Sequence, residues 1–585
     1  MNARKIILIA GFMCAMAYLV YEWWRYEKTP QIMSPIQPFS ELCPSDQAFG
    51  SYASLPSASA VQQGDVWEKH FNVNTVTSKV SLKALDDVNY FSYKDFPLEV
   101  EFQSPSDRVL KVSPFYDGEQ LFKLRVMLDE IGRWSYRLLH QDTLLEEGTV
   151  IVAEARSDNP PLSPISIDEK YPSRLVSGSE PFYWVGGKWL ASQNIAPCSI
   201  TQFKHLRESQ QSLKDEEYLA YLDTLVATEH NGILIKIAQF PLMNDGVSWD
   251  LEWIQRTEWM VREAMARRIY VQVNIFDTWS RDSRFKVVNS TSGERHVFNV
   301  WSPKEADLAK IKNYIQTVVA RFSAYPNVVW ELGNEMDHKP NCGSCFAEYS
   351  NQYYVPWIRE NDAYNRLMGL SEGVWKKTKV DIGFMHQTRT EDFESLPRDT
   401  RPLVMNELVF ADGAASLWRD STIRDASARL AFRRTFWRSF MTGLSGSFEA
   451  TWLNIQEPFN GAVKNVMMDH QRLADFIEMQ NINVNSRQVL NDAVVKGDEY
   501  LSYSVSLSSG RYVSYLLSPL SGIVAGKALT LDLPAARYEY QWFNPETGAY
   551  SDKQSIDTRK EQSISVNSES ADLVLLIVLV EVESL

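Results

Sequence analysis

A chain of 585 residues is too long for one hydrophobic core, so it should divide into roughly two to four domains. Its net charge of -15 excludes a nucleic-acid binder working through a basic surface, and its 44% apolar content is ordinary for globular protein. The 18 Trp, 26 Tyr and 27 Phe are the unusual counts, because flat rings suit both cores and the faces of sugars.

At the N-terminus Arg4 and Lys5 precede an apolar run from Ile6 to Val20, followed by Trp23 and Trp24. No small-x-small cleavage site follows, so residues 1–27 read as an uncleaved signal anchor with residues 6–24 in the inner membrane. The basic start places the rest of the chain outside the cytoplasm, in the periplasm or at the cell surface. Secretion after signal cleavage is the alternative, since the span is short for a bilayer. Residues 28–63 are rich in Pro, Ser, Gln and Ala and read as a linker.

From 64 to 156 the pattern is short alternating runs, including 79–85, Leu98 to Phe102 and Leu121 to Val126, separated by Asp117-Gly118 and Ile131-Gly132. That texture predicts a β-sandwich. Pro114-Phe115-Tyr116-Asp117-Gly118, Arg125 and Gly132-Arg133-Trp134-Ser135-Tyr136 resemble the small sandwich that precedes the catalytic barrel in a group of bacterial glycoside hydrolases.

Asn159-Pro160-Pro161 marks a boundary, and from 165 to 478 strands alternate with helices. Gly232 to Ile237 and Ile269 to Ile275 read as strands around a helix whose stripe is Trp253, Ile254, Thr257, Met260, Val261, Ala264 and Met265. A second helix carries Leu308, Ile311, Ile315, Val318 and Phe322, with Ser302 as expected cap and Pro303 at the first helical position. Next come the strand Val328-Val329-Trp330-Glu331-Leu332-Gly333-Asn334-Glu335, a helix over 356–377, strands at 380–386 and 402–406, a helix over 426–442 and a strand at 446–452. This rhythm predicts an α/β chain with a (β/α)8 TIM barrel, and the lack of a Gly-rich phosphate loop argues against an open nucleotide-binding sheet and against a cofactor. Residues 480–585 return to short strands, a C-terminal β-sandwich closed by Leu573 to Val580.

Five cysteines occur, Cys14, Cys43, Cys198, Cys342 and Cys345. Cys342-Gly343-Ser344-Cys345 has no second pair at metal spacing, so it reads as a local disulfide and no metal site is expected.

Barrel chemistry sits at strand C-termini. Glu335 follows Asn334 at one such end and Glu407 follows Asn406 at another, which could supply the acid and the second carboxylate of glycoside hydrolysis. Asn334-Glu335 closing one strand and Glu407 closing another resemble clan A glycoside hydrolases, and Asn327 to Glu335 is similar to the fourth-strand segment of their cellulase-like and apiosidase-like members. The resemblance implies a carbohydrate substrate and a retaining mechanism, with Glu335 as acid/base, Glu407 as nucleophile and Asn334 on the sugar 2-hydroxyl. It also implies an aromatic platform at Trp452.

Glu449 is a rival carboxylate to Glu407, and Glu331 reads as a buried structural partner. His386, Trp189 and Asn274 are further candidate substrate contacts, as is Trp279 beside the third strand end. His386 could instead be a satisfied core histidine. Lys188 stands where related enzymes tend to carry an acid, which favours an anionic sugar. Two alternatives stay open: a non-catalytic carbohydrate-binding scaffold, and a transglycosylase tied to exopolysaccharide export.

Overall fold

The computed structural model describes residues 60–80, 88–158, 160–187, 190, 195–196, 212–238, 241–243, 245–278, 298–338, 341–387, 400–408, 426–448, 461–497, 500–507, 510–517, 525–566 and 570–581. The anchor expected over 6–24 lies outside them, and among the described residues no helix is long and apolar enough to cross a membrane. The linker was expected to run from 28 to 63; residues 28–59 lie outside the described residues, and Ala60–Gln62 is a strand paired parallel with Ile151 to Ala153.

The N-terminal sandwich packs a five-stranded sheet on a three-stranded one. In Leu98–Gln103 the alternation sends Leu98, Val100 and Phe102 into a core shared with Trp67, Leu124, Val126 and Trp134. Of the strand expected over 79–85, Lys79 and Val80 instead follow the short helix Val73–Thr77 in a turn, and 81–87 lie outside the described residues. Asp117 and Arg125, two of the residues that carried the family resemblance, have a docking role. Arg125 ion-pairs with Glu68 at 2.7 Å and with Glu258 at 2.8 Å, and Arg321 joins Glu258 at 2.6 Å and Asp117 at 2.9 Å. This buried network ties the sandwich to two barrel helices. Burial pushes the Asp117 carboxyl up, but Arg321, Lys123 and Arg125 outweigh it and hold it at about 2.

Eight parallel strands close into a barrel in chain order. We number them β1 (Val185–Gly186), β2 (Gly232–Lys236), β3 (Tyr270–Asp277), β4 (Val328–Asn334), β5 (Met368–Ser371), β6 (Ile382–Gln387), β7 (Leu403–Leu408) and β8 (Ser445–Phe448). The surrounding helices include α1 (Asp215–Ala227), α2 (Leu251–Ala266), α3 (Glu305–Phe322), α4 (Ala426–Met441) and α5 (Gly461–Met479). A three-stranded antiparallel sheet over Ile165 to Phe182 packs Ile165 and Leu175 with Trp184, Tyr270, Val329, Phe384 and Val404, residues near the strand starts. That apolar plug seals the N-terminal end and leaves polar chemistry to the other.

Two expectations about the barrel fail. Helix α3 starts later than Ser302: Asn299 Oδ1 accepts from the backbone N–H groups of Trp301 and Ser302, and Lys304 is the N-cap, its N–H donating to Asp307 at 3.0 Å. The helix expected over 356–377 breaks after Val355–Asn361, where Asp362 accepts from Trp330 Nε1 and from the N–H groups of Tyr364 and Arg366. The fifth strand and a 3-10 turn, Glu372–Lys377, follow.

In the C-terminal sandwich, the last strand Asp572–Glu581 sits between Arg511–Leu517 and Arg537–Phe543 in a six-stranded sheet. Leu573, Leu575 and Ile577 face the sandwich core, whereas Val574 and Leu576 join the core around the barrel. Burial on both faces explains its unbroken apolar run.

Candidate active site

The strand ends at the C-terminal end of the barrel carry a layered set of polar side chains. Lowest lies Glu331 on β4, fully buried, whose Oε2 accepts from Asn274 Nδ2 at 2.9 Å and Oε1 from Asn406 Nδ2 at 3.1 Å. Burial raises its carboxyl, Lys236 and His386 pull it back, and the balance is about 7. Asn274 is therefore not at the rim. It stands three residues before the end of β3 with its amide spent on Glu331 and on Phe276 O at 2.9 Å.

Above this floor is Glu407. In regular alternation Asn406 and Glu407 would face opposite sides, but the β6–β7 and β7–β8 ladders shift register beside them, and both are buried with partners inside the barrel. Lys236, the last residue of β2, donates from Nζ to Glu407 Oε1 at 3.1 Å. Burial alone would lower the Lys236 ammonium, but Glu407, Asp277, Glu331 and Glu335 hold it above the ordinary lysine range.

Glu335 lies just past β4 with φ +51, a left-handed backbone rare for a glutamate. Ser371, ending β5, supports that turn: its Oγ donates to Gly333 O at 3.0 Å and accepts from the Glu335 N–H at 3.0 Å. Asn334 Nδ2 donates to Asp277 Oδ1 at 2.9 Å. His386 on β6 joins the two candidate carboxylates, with Nδ1 3.1 Å from Glu335 Oε1, 3.6 Å from Glu407 Oε2 and 3.0 Å from Glu372 Oε1. Burial lowers the imidazole, but Glu407, Glu335 and Glu372 outweigh it and hold it charged well above its ordinary value.

Donor atoms of Glu335, His386 and Glu407 lie within 4.8 Å of one another, a spacing that could hold a metal ion. The three carboxylates around the facing nitrogen also suit a charged imidazolium that donates to them.

The structure thus brings together Glu335, Glu407, Asn334 and His386, with Asn274 beneath them. Trp189, Trp452, Lys188, Trp279 and Glu449 lie outside the described residues. Sequence reasoning missed Lys236, Asp277, Ser371 and Glu372. Lys236 and Asp277 are polar ends of buried strands and were open to the same strand-end logic. Ser371 and Glu372 follow from a strand hidden inside an apparent helix.

Residues 78–141 match the family model of a domain of unknown function, DUF5060, and residues 197–400 match Cellulase (glycosyl hydrolase family 5). The second match contains Glu335 and ends before Glu407. A solved structure from Bacteroides vulgatus ATCC 8482, provisionally assigned as a glycoside hydrolase, is 14% identical, covers 89% of this chain and 100% of its own, and has a TM-score of 0.62. A glycoside hydrolase family 5 structure from the same organism is also 14% identical, over 71% of this chain and 92% of its own, with a TM-score of 0.49. The first establishes a shared fold. No curated protein matches the chain. The family 5 match supports a glycosidase. The chain carries a clan A (β/α)8 glycoside hydrolase barrel behind an N-terminal DUF5060 domain.

Proposed function

We propose that this protein is a retaining glycoside hydrolase acting on an oligosaccharide or polysaccharide, with Glu407 as nucleophile and Glu335 as acid/base. The observation that carries the reading is the pair of strand-end carboxylates, from β4 and β7, with oxygens within 4.8 Å. In the first step Glu407 bonds to the anomeric carbon as the glycosidic C–O bond breaks, and the Glu335 proton goes to the leaving oxygen. In the second, water gives a proton to Glu335, its oxygen bonds to the anomeric carbon, and Glu407 departs.

Lys236 fixes Glu407 Oε1 and stabilises the ionised form that attack requires. Among the described residues the site sets six carboxyl groups, Asp277, Glu331, Glu335, Asp337, Glu372 and Glu407, around two cations, Lys236 and His386. Such an excess of like charge favours keeping a proton within the cluster, as an acid catalyst needs. In this reading Asn334, whose amide donates to Asp277, contacts a sugar hydroxyl.

We further infer action outside the cytoplasm, supported by the disulfide between Cys342 and Cys345 in the segment following Glu335. Screening the protein against a glycan panel, with Glu335→Gln and Glu407→Gln beside it, tests the reading. Each variant should fold and lose turnover by about 10³-fold or more. A Glu407→Gln variant with near-native rates would remove the nucleophile assignment.

A further inference from the structure

Glu372 has no place in a two-carboxylate mechanism, yet the fold spends strain on it. It follows β5 at φ +60, although its neighbour Gly373 could adopt that conformation without cost. Its Oε1 lies 3.0 Å from His386 Nδ1, and Glu335 Oε1, also on a left-handed residue, lies 3.1 Å from the same nitrogen. Two neighbouring strand ends therefore each hold a strained glutamate, and both converge on one imidazole N–H. That N–H can donate well to only one of them at a time.

We propose that Glu372 is a positioning residue for Glu335, the alternative acceptor that takes the His386 hydrogen bond whenever Glu335 turns to the glycosidic oxygen. The inference rests on the acid/base reading of Glu335. When Glu335 carries the catalytic proton it is a poor acceptor, and without Glu372 the imidazolium would follow it and oppose its protonation. With Glu372 present, His386 keeps its proton and its orientation, and the negative charge beside Glu335 favours the acid form. The groups facing the pair are Glu331 and Glu335 from β4, Asp337 beyond it, Asp277 from β3, Lys236 from β2, His386 from β6 and Glu407 from β7. Among the described residues, His386 Nδ1 meets Glu372 besides the two carboxylates Glu335 and Glu407.

The test compares wild type with Glu372→Gln and Glu372→Asp. On the sugar that the glycan panel identifies, Glu372→Gln should move the alkaline limb of kcat/KM to lower pH by about one unit. Glu372→Asp should restore part of the shift. An unmoved limb, or an equal loss at every pH, overturns the proposal. A second readout needs no turnover: the imidazole 15N signals of His386, assigned by their loss in His386→Gln, should titrate at lower pH in Glu372→Gln than in wild type. An unchanged titration also overturns the proposal. A shifted titration in a protein that cleaves no glycan supports the Glu372–His386 link and defeats the hydrolase reading alone.

Discussion

Replacing Lys236 by Met would leave the barrel its shape but remove the cation that holds Glu407. The pair is 3.1 Å apart and the two side chains are 4% and 9% exposed. At an effective dielectric of about 20 the direct attraction is roughly 5 kcal/mol, and removing one partner of a buried pair typically costs about 3–5 kcal/mol. His386, 3.6 Å from Glu407 Oε2, remains and softens the loss, so about 3 kcal/mol of stability should go at neutral pH. A buried carboxylate without its cation takes up a proton more readily, and a protonated carboxyl does not attack. The acid limb of kcat/KM should therefore move to higher pH by about one to two units, and Lys236→Arg should move it less. Denaturant titration and a pH–rate profile measure the two effects separately. Loss of stability with an unmoved acid limb would make Lys236 a structural residue and refute its assignment to the nucleophile.

Other consequences reach beyond the mouth. Arg125→Ala leaves Glu68 and Glu258 without a principal partner at the seam between sandwich and barrel, and should cost about 3–5 kcal/mol in chemical denaturation. Glu229, before β2, is raised from 4.5 to about 7 by burial and by Asp475 and Glu478 on α5. Its folded form binds the proton more tightly than its unfolded form, so unfolding free energy falls as pH rises from about 4.5 through 7; Glu229→Gln should flatten that fall in melting temperatures taken across the range. Gly369→Ala in β5 places a Cβ 2.1 Å from the Phe384 ring inside the barrel, and overpacking should lower stability by about 1–3 kcal/mol.

The parts of the fold that were legible are those whose periodicity matched their burial. Ile254, Val261 and Ala264 at helical spacing mark the inward stripe of α2, and Val328 to Asn334 shows a buried strand ending in polar residues. Met368-Gly369-Leu370-Ser371 was illegible because it has four residues, no β-branched side chain and a glycine demanded by Phe384 rather than by a turn. Losing that strand hid Glu372. Within the site, Glu335 and Glu407 could be found because each follows an asparagine at a strand end, but their approach depends on a left-handed turn and a register shift that no residue type announces. Asn274 was misplaced because β3 runs on to Asp277, so the residue that looked terminal lies one layer down.

We propose that Glu335 and Glu407, with oxygens within 4.8 Å, act across a single sugar as acid/base and nucleophile. Proton NMR of the first product formed, recorded before mutarotation, tests it most directly. The released sugar should keep the anomeric configuration of the bond that was cut, with Glu407→Gln forming no product at a comparable rate. An inverted first product would contradict it, because inversion needs a water between carboxyl groups about 6.5–9.5 Å apart rather than a direct attack by Glu407.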